Sequence, residues 1–295
     1  MSRWNQASVY LTRILLWLLR NLRNSSVKYK TSNTRHTLDL KFGLSDLSIS
    51  IATFEDRFFA HALPLIEQIR RECDVPIVLV INGNLDRAIN PILLSNFISA
   101  AVKFGNVFPV TFHTFHGCAK LWNTGILHGD REITLVLNDD IGIIPGELFS
   151  HLVQIVNLTE QSGLIKINES WSHFAISKQL INKLGWFDER FLGIGEEDGD
   201  YQLRFHEFFG SHVRSERVMS FVNLVDPSRD SSVARGVGKY SLFNRSLVSH
   251  PKFKRLTVEG ARQIYPYWRW RQDNLIQLRE SNRQLLDEVF ERVIG

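Results

Sequence analysis

Residues 133–141, ITLVLNDDI, decide the fold of this chain. The first five of them are apolar or β-branched, which is typical of a strand buried on both faces of a sheet. Asn138, Asp139 and Asp140 follow at once and end the strand. Because ligands of open α/β sheets bind at the carboxyl ends of strands, this turn is a candidate binding edge.

The chain before this run alternates between strand-like and helical periodicity. Strands are predicted over residues 47–53, 75–81 and 108–112, and helices over residues 60–73, 91–104 and 117–128. The sequence therefore predicts an α/β fold with a mostly parallel sheet that helices cover on both faces. The first two strands also end in polar residues, including Thr53, Glu55 and Asn82, so three polar strand ends should meet at one edge.

The second half of the chain is less regular. Strands are predicted over residues 163–168, 172–176 and 213–224, and helices over residues 178–184, 198–209 and 272–293. Residues 226–238 are rich in Ser, Arg and Gly and predict a mobile loop. The predicted organisation is a basic amphipathic helix with a linker (1–45), an α/β domain (46–225), and a loop with a helical basic tail (226–295).

Asp139 and Asp140 are adjacent carboxylates at the end of a strand that is predicted to be buried. They repel each other, and burial adds to the cost of keeping both ionised. A hard divalent cation, Mn²⁺ or Mg²⁺, would relieve both costs, since such ions prefer oxygen ligands and often share them with substrate phosphates. The alternative is a strand-ending turn without a ligand, because Asn and Asp are common in turns.

A second acidic run, GEEDGD at residues 195–200, precedes a predicted helix. The helix dipole and the free N–H groups favour carboxylates there, and this alone would explain Glu197 and Asp198. A carboxylate beside a reactive hydroxyl also acts as a general base, and the nearby glycines permit close approach of a ligand. The run is therefore either a helix cap or part of a catalytic loop.

Taken in order, these motifs resemble those of a family 2 glycosyltransferase of the GT-A fold. The likeness covers about residues 48–209 and rests on SISIATFED (48–56), INGN (81–84), GCAKLWNTGI (117–126), LVLNDDI (135–141) and GWFDERFLGIGEEDGDYQLR (185–204). The last run is the most specific, because family members commonly carry Gly-aromatic-Phe-Asp-Glu-x-Phe before Glu-Asp-x-Asp and a helix with Arg, here Arg204. The resemblance implies inverting transfer of a sugar from a nucleotide-diphospho-sugar donor to an acceptor hydroxyl. The basic amphipathic ends of the chain favour a glycan or lipid-linked acceptor.

The resemblance also implies a role for each matching residue. Asp140 would hold the metal, Mn²⁺ or Mg²⁺, and Asp198 would deprotonate the acceptor hydroxyl with Glu197 as its neighbour. Ile81 stands where the family often has an Asp that reads the nucleotide base, so Asn82 is expected to substitute. The residues expected to bind the donor are Thr53, Glu55, Asn82, Asn123 and Asp139.

Two other functions fit parts of the sequence. A nucleotidyltransferase would also bind metal and nucleotide on an α/β sheet, but it should carry a Gly-rich turn after the first strand, where residues 52–58 (ATFEDRF) contain no glycine. A non-catalytic sugar- or membrane-binding relative of the same fold is disfavoured because Asp140, Asp198 and Asp200 are all present. No nucleic-acid partner is expected.

The N-terminal region predicts contact with a membrane surface. Residues 1–41 carry eight Lys and Arg against one Asp, whereas the whole chain has a net charge of only +4. Residues 9–22 (VYLTRILLWLLRNL) form a leucine stripe with arginines on another helix face, and they are too short to span a bilayer. The alternative is a helix docked on the protein body or on a second copy of the chain, as in a homo-oligomer.

The cysteine content bears on the compartment. The two cysteines, Cys73 and Cys118, set no disulfide framework and favour a reducing environment. Residues 9–22 also lack the cleavage site of a signal peptide. The predicted location is therefore cytoplasmic, peripheral on the inner face of the cell membrane.

Overall fold

The computed structural model describes residues 44–84, 88–129, 131–224 and 231–263, of which residues 231–239 are described by their backbone alone. The chain divides into two units, Met1–Lys41 and Phe42–Gly295, and every described residue lies in the second. The predicted helices over residues 9–22 and 272–293 lie outside the described residues. No helix within the described ranges is long and apolar enough to cross a membrane.

A mixed sheet forms the centre of the described unit. The strands are β1 (Leu47–Phe54), β2 (Ile77–Asn82), β3 (Val107–Thr111), β4 (Ile133–Asn138), β5 (Ile141–Ile143), β6 (Leu164–Ile167), β7 (Ser170–Ser177), β8 (Arg214–Glu216) and β9 (Phe221–Asn223). Seven of them form one sheet in the order β3-β2-β1-β4-β7-β6-β8, and β5 pairs with β9 in a separate antiparallel ribbon. Only β7 runs antiparallel to its neighbours in the large sheet, so the predicted α/β class with a mostly parallel sheet is confirmed.

Helices cover both faces of the sheet. They are α1 (Leu63–Glu72), α2 (Pro91–Val102), α3 (Cys118–Gly129), α4 (Leu148–Ser162), α5 (Lys178–Leu184), α6 (Glu197–Phe209), α7 (Ser231–Ser249) and α8 (Val258–Arg262). Side chains alternate along β4: Leu135 and Leu137 join an apolar cluster with α1, α2 and α4, whereas Val136 joins a cluster with α3, α5 and α6. Because both faces of β4 are covered by helices, all of its side chains up to Leu137 are buried, which explains its apolar sequence.

Helix α3 lies unusually close to β1. A Cβ atom on Gly125 would overlap the side chain of Ser50, and one on Gly129 would overlap that of Ser48. Both serines are buried on the strand. Small residues on both elements therefore let the helix backbone approach the sheet.

The structure differs from the sequence predictions at three places. Helix α4 falls in a region without a predicted element, although its buried Leu148, Leu152 and Ile155 are spaced as in an amphipathic helix. The strand predicted over residues 213–224 is two short strands, β8 and β9, which pair with different partners. The loop predicted over residues 226–238 is wrong from Ser231 onward, where α7 begins.

Tertiary packing accounts for the correction at α7. Its buried Phe243 and Leu247 lie four residues apart and pack with Phe191, so the helix is held by contacts that residues 226–238 do not reveal. The predicted domain boundary at residue 225 therefore separates segments that pack together.

We expect Gly125→Ala to lower the free energy of unfolding by about 1–3 kcal/mol, because the added methyl group forces α3 away from Ser50. Urea denaturation measures the effect. Gly260→Ala in α8 is the matched control, since its added Cβ would meet the nearest atom, Thr257 Oγ1, at 3.5 Å, an ordinary contact distance. Equal stability of the two variants would contradict the close packing of α3 on β1.

Candidate active site

A cleft of about 290 Å³ lies at the carboxyl ends of β1 and β4. It brings together Asp139 and Asp140, which follow β4, with Glu197 and Asp198, which begin α6. The other lining residues are Ala52, Phe54, Arg57, Cys118, Leu121, Trp122, Asn138, Trp171, Ser172, His173, Ile194 and Asn223. The two acidic motifs of the sequence thus share one cavity.

Arg57 contacts both carboxylates of the acidic turn, residues 138–140. Its Nε and Nη2 donate to the Asp139 carboxylate at 2.9 and 2.6 Å, and its Nη2 also lies 3.3 Å from Asp140 Oδ2. Thr53 donates from its hydroxyl to the other Asp139 oxygen at 2.7 Å. Asp139 is buried and its oxygens are occupied by these partners, so Asp140 is the carboxylate of the pair that remains for a ligand.

The surroundings of Asp140 favour the protonated form of its carboxyl. Burial raises its pKa and nearby Asp139 adds to the increase, whereas Arg57 and His173 oppose it. His173, on β7, hydrogen-bonds through Nε2 with Asn223 Oδ1 at 2.9 Å, and burial lowers its pKa. His173 and Asp140 both line the cleft, and each perturbs the pKa of the other.

These groups suit a cation that takes few protein ligands. The described residues contain no cluster of three or more His, Cys, Asp and Glu that could hold a metal ion. Mg²⁺ and similar hard ions are often bound by one or two carboxylates together with substrate phosphates and water. The donor set at Asp140 fits such an ion and does not fit a structural metal held by the protein alone.

The acidic run at residues 195–200, called the acidic loop below, places Asp198 and Glu197 in different environments. Asp198 is partly exposed, and its Oδ1 accepts a hydrogen bond from the Gly199 amide at 2.8 Å. Glu197 is buried, no group in the described part of the chain hydrogen-bonds its Oε2, and burial raises its pKa to about 8. Asp198 is therefore the carboxylate that can meet a ligand from solution, while Glu197 holds a proton at neutral pH.

A set of buried ion pairs supports this loop from below. Asp188 pairs with Arg190 at 2.7 Å, and Asp200 pairs with Arg204 at 3.1 Å. Arg204 also donates to the carbonyl oxygens of Leu184 and Trp186 at 3.1 and 2.9 Å. The ion pairs within residues 185–204, the run that carries the family resemblance, thus support the acidic loop.

Three of the residues expected to bind the donor serve as supports. Thr53 holds Asp139, as described above. The Asn82 carboxamide exchanges two hydrogen bonds of 2.9 Å with the backbone of His116, and the Asn123 carboxamide exchanges two with the backbone of Phe187. Glu55 is partly buried in the turn after β1 and does not line the cleft.

Helix α7 also holds the acidic loop. Asn244 is fully buried; its amide donates to the carbonyls of Leu192 and Gly195 at 2.8 and 2.6 Å, and its oxygen accepts from the Leu192 amide at 2.9 Å. Sequence reasoning missed Asn244, Arg57 and His173. Arg57 and His173 lie outside the acidic motifs, and Asn244 follows a segment that was predicted to be a loop.

No protein-family model and no curated protein sequence matches this chain. It is similar to the structure of the mannosyltransferase PcManGT from Pyrobaculum calidifontis in complex with GDP-Man and Mn²⁺, at 12% identity and a TM-score of 0.49, over 95% of this chain and 86% of that one. It is also similar to glucosyl-3-phosphoglycerate synthase from Mycobacterium tuberculosis in complex with Mn²⁺, UDP and glucosyl-3-phosphoglycerate, at 14% and 0.49, over 70% and 83%. A third similar structure is that of TarS from S. aureus, with 13% identity and a TM-score of 0.45, over 74% of this chain and 42% of that one. At these TM-scores the likeness assigns neither substrate nor activity to this chain.

We expect Asn244→Ala to lower the free energy of unfolding by about 2–3 kcal/mol, because it removes the side-chain partner of three partly buried backbone groups in Leu192 and Gly195. Asn244→Asp is the matched variant: it keeps the acceptor for the Leu192 amide and loses both donated bonds. Hydrogen exchange should therefore show the Leu192 amide less protected in the alanine variant than in the aspartate variant. Equal protection of that amide in both variants would contradict the role of the Asn244 side chain in holding the acidic loop.

Glu197 should make stability depend on pH. Because its folded pKa of about 8 exceeds its ordinary value of 4.5, the unfolded chain releases this proton first as the pH rises. The contribution of Glu197 is therefore most favourable below its ordinary pKa and is lost as the pH rises toward 8, with an upper limit of roughly 5 kcal/mol.

Glu197→Gln removes the titration and keeps the shape of the side chain. We expect the variant to gain stability over the unmodified protein as the pH rises from 5 to 8, which chemical denaturation along a pH series measures. A stability difference that stays constant over this range would show that Glu197 is not held in its protonated form.

Proposed function

We propose that this protein is a glycosyltransferase that moves a sugar from a nucleotide-diphospho-sugar to a hydroxyl of a glycan or lipid-linked acceptor. The observation that carries the proposal is the shared cleft of Asp140 and Asp198. One carboxylate is placed among groups that suit a divalent cation, and the other is open to the cavity without a cationic partner among the described residues. Such a division of labour is what transfer from a charged leaving group requires.

The acidic turn would bind the donor's diphosphate. Asp140 is the ligand for Mn²⁺ or Mg²⁺, with His173 and Asn223 beside it. When bound, the cation supplies neutralisation of the charge that develops on the leaving diphosphate. Arg57 keeps Asp139 in place and adds a fixed positive charge at the same edge.

Asp198 would activate the acceptor. Its carboxylate accepts the proton of the acceptor hydroxyl while that oxygen bonds to the anomeric carbon of the donor sugar. The bond from that carbon to the diphosphate oxygen breaks, and the electron pair leaves with the nucleoside diphosphate. Attack from the face opposite the leaving group inverts the anomeric configuration.

The buried neighbour Glu197 cannot share this role in its protonated form. Its pKa of about 8 keeps it protonated at neutral pH, and it is buried, whereas the Asp198 carboxylate is partly exposed. We propose that Glu197 limits the negative charge of the loop, so that Asp198 is the single base.

The predicted peripheral membrane contact of residues 9–22, a cytoplasmic location and a homo-oligomer remain proposals. The segment concerned lies outside the described residues. The leucine stripe and the basic N-terminal region support a membrane contact near a lipid-linked acceptor.

Two substitutions separate donor binding from transfer. A thermal-shift screen of nucleotide sugars with and without Mn²⁺ first identifies the donor, and calorimetry then measures its affinity. We expect Asp140→Ala to weaken metal-dependent donor binding, whereas Asp198→Asn should retain binding and lower kcat by roughly 10²–10⁴-fold. Asp74→Asn is the control, since that carboxylate has an 87% exposed side chain and lies outside the cleft.

The outcomes discriminate between the functions. Full activity of either site variant would overturn the corresponding role, and no stabilisation by any nucleotide sugar would favour a non-catalytic protein. Release of inorganic diphosphate from a nucleoside triphosphate would indicate a nucleotidyltransferase.

A further inference from the structure

A second cavity, of about 310 Å³, adjoins the cleft at Asp198. We call it the lateral groove; its lining includes Lys166, Trp171, Asp198, Gln202, His206 and His212. Trp171 and Asp198 line both cavities. A group in the lateral groove can therefore reach Asp198 without occupying the space near Asp140.

The lateral groove contains one cationic side chain, that of Lys166, and two imidazoles besides the carboxylate of Asp198. Among the described residues that line it, Asp198 is the only carboxylate. The Lys166 ammonium lies 5.8 Å from the centre of the Trp171 ring, and no carboxylate in the described part of the chain forms a salt bridge with it. His206 and His212 stack with ring centres 4.9 Å apart and add imidazole N–H donors.

Trp171 gives the lateral groove a fixed flat wall. Its indole Nε1 donates to Gln202 Oε1 at 3.3 Å, and its ring packs edge-on against Phe174 with centres 5.7 Å apart. The side chain is only partly buried, so one part of the ring remains accessible. A rigid aromatic surface of this kind suits the apolar face of a sugar ring.

We propose that the lateral groove is the acceptor subsite and that it selects an acceptor sugar bearing an anionic group, a phosphate or a carboxylate. The sugar ring lies on Trp171, its hydroxyl reaches Asp198, and its anionic group meets Lys166 and the two imidazoles. This inference rests on the proposed function, because the role of Asp198 as the base is what makes the groove the acceptor side. It adds the chemical class of the acceptor, which the acidic motifs leave open.

Binding of three matched probes tests the charge selectivity. Methyl glucoside, its 6-phosphate and methyl glucuronide share one ring and differ in charge, and saturation-transfer NMR or calorimetry gives their affinities in the absence of donor and metal. We expect at least one anionic probe to bind roughly tenfold more tightly than the neutral one, because it gains a charge-assisted hydrogen bond. The comparison of the two anionic probes distinguishes a phosphate-bearing from a uronic-acid acceptor.

Variants at Lys166 test where the selectivity arises. Lys166→Gln should abolish the preference for the anionic probes, and Lys166→Arg should retain it. Lys103→Gln is the control, since Lys103 is exposed and lines neither cavity. Trp171→Phe should weaken all three probes to a similar extent and leave the preference intact.

The inference is overturned if the neutral probe binds as tightly as both anionic ones, if no probe binds at millimolar concentration, or if Lys166→Gln keeps the preference. Failure of the proposed function gives a different result. In that case nucleotide sugars fail to bind the cleft, while the Lys166-dependent selectivity for anionic sugars persists in the groove.

Discussion

The contact of Arg57 with two adjacent carboxylates is the constraint on which the candidate site depends. Asp139 and Asp140 stand at the end of a buried strand, where two negative charges repel each other and lose hydration. The guanidinium binds Asp139 through two nitrogens and reaches Asp140, and Thr53 completes the shell of Asp139. This leaves Asp140 as the carboxylate of the turn that remains for a ligand. A ligand that brings positive charge to Asp140 meets a turn that is already ordered.

The second acidic motif, at residues 195–200, is held by buried ion pairs and by hydrogen bonds from Asn244. Ion pairs within residues 185–204 are buried, and breaking one of them would leave an uncompensated charge, so they favour a single loop conformation. Asn244 fixes the backbone of the same loop from α7, more than forty residues later in the chain. Asp198 thus remains accessible on a frame in which Asp188 and Asp200 form buried ion pairs. The Asp198 carboxylate therefore lines two cavities, whereas its neighbour Glu197 is buried.

The site residues expected from the sequence divide into those that face the cleft and those that support it. Asp139, Asp140, Glu197 and Asp198 line the cavity, as strand ends and helix starts at one sheet edge should. Asn82 and Asn123 instead exchange hydrogen bonds with the backbone of neighbouring loops. A carboxamide serves a ligand or a backbone peptide equally well, since both offer one donor and one acceptor. Sequence position alone does not distinguish these uses.

The sequence by itself determined the α/β class, the strand end at residues 138–140 that borders the cleft, and the two acidic motifs. These follow from local periodicity and from the rule that ligands bind at the carboxyl ends of parallel strands. Only the tertiary structure decided that Arg57 pairs with both carboxylates of the acidic turn, that His173 stands beside Asp140, and that Asn244 belongs to a helix that holds the loop. Each of these depends on contacts between residues distant in sequence. Such contacts are set by how helices and strands pack, which no local pattern encodes.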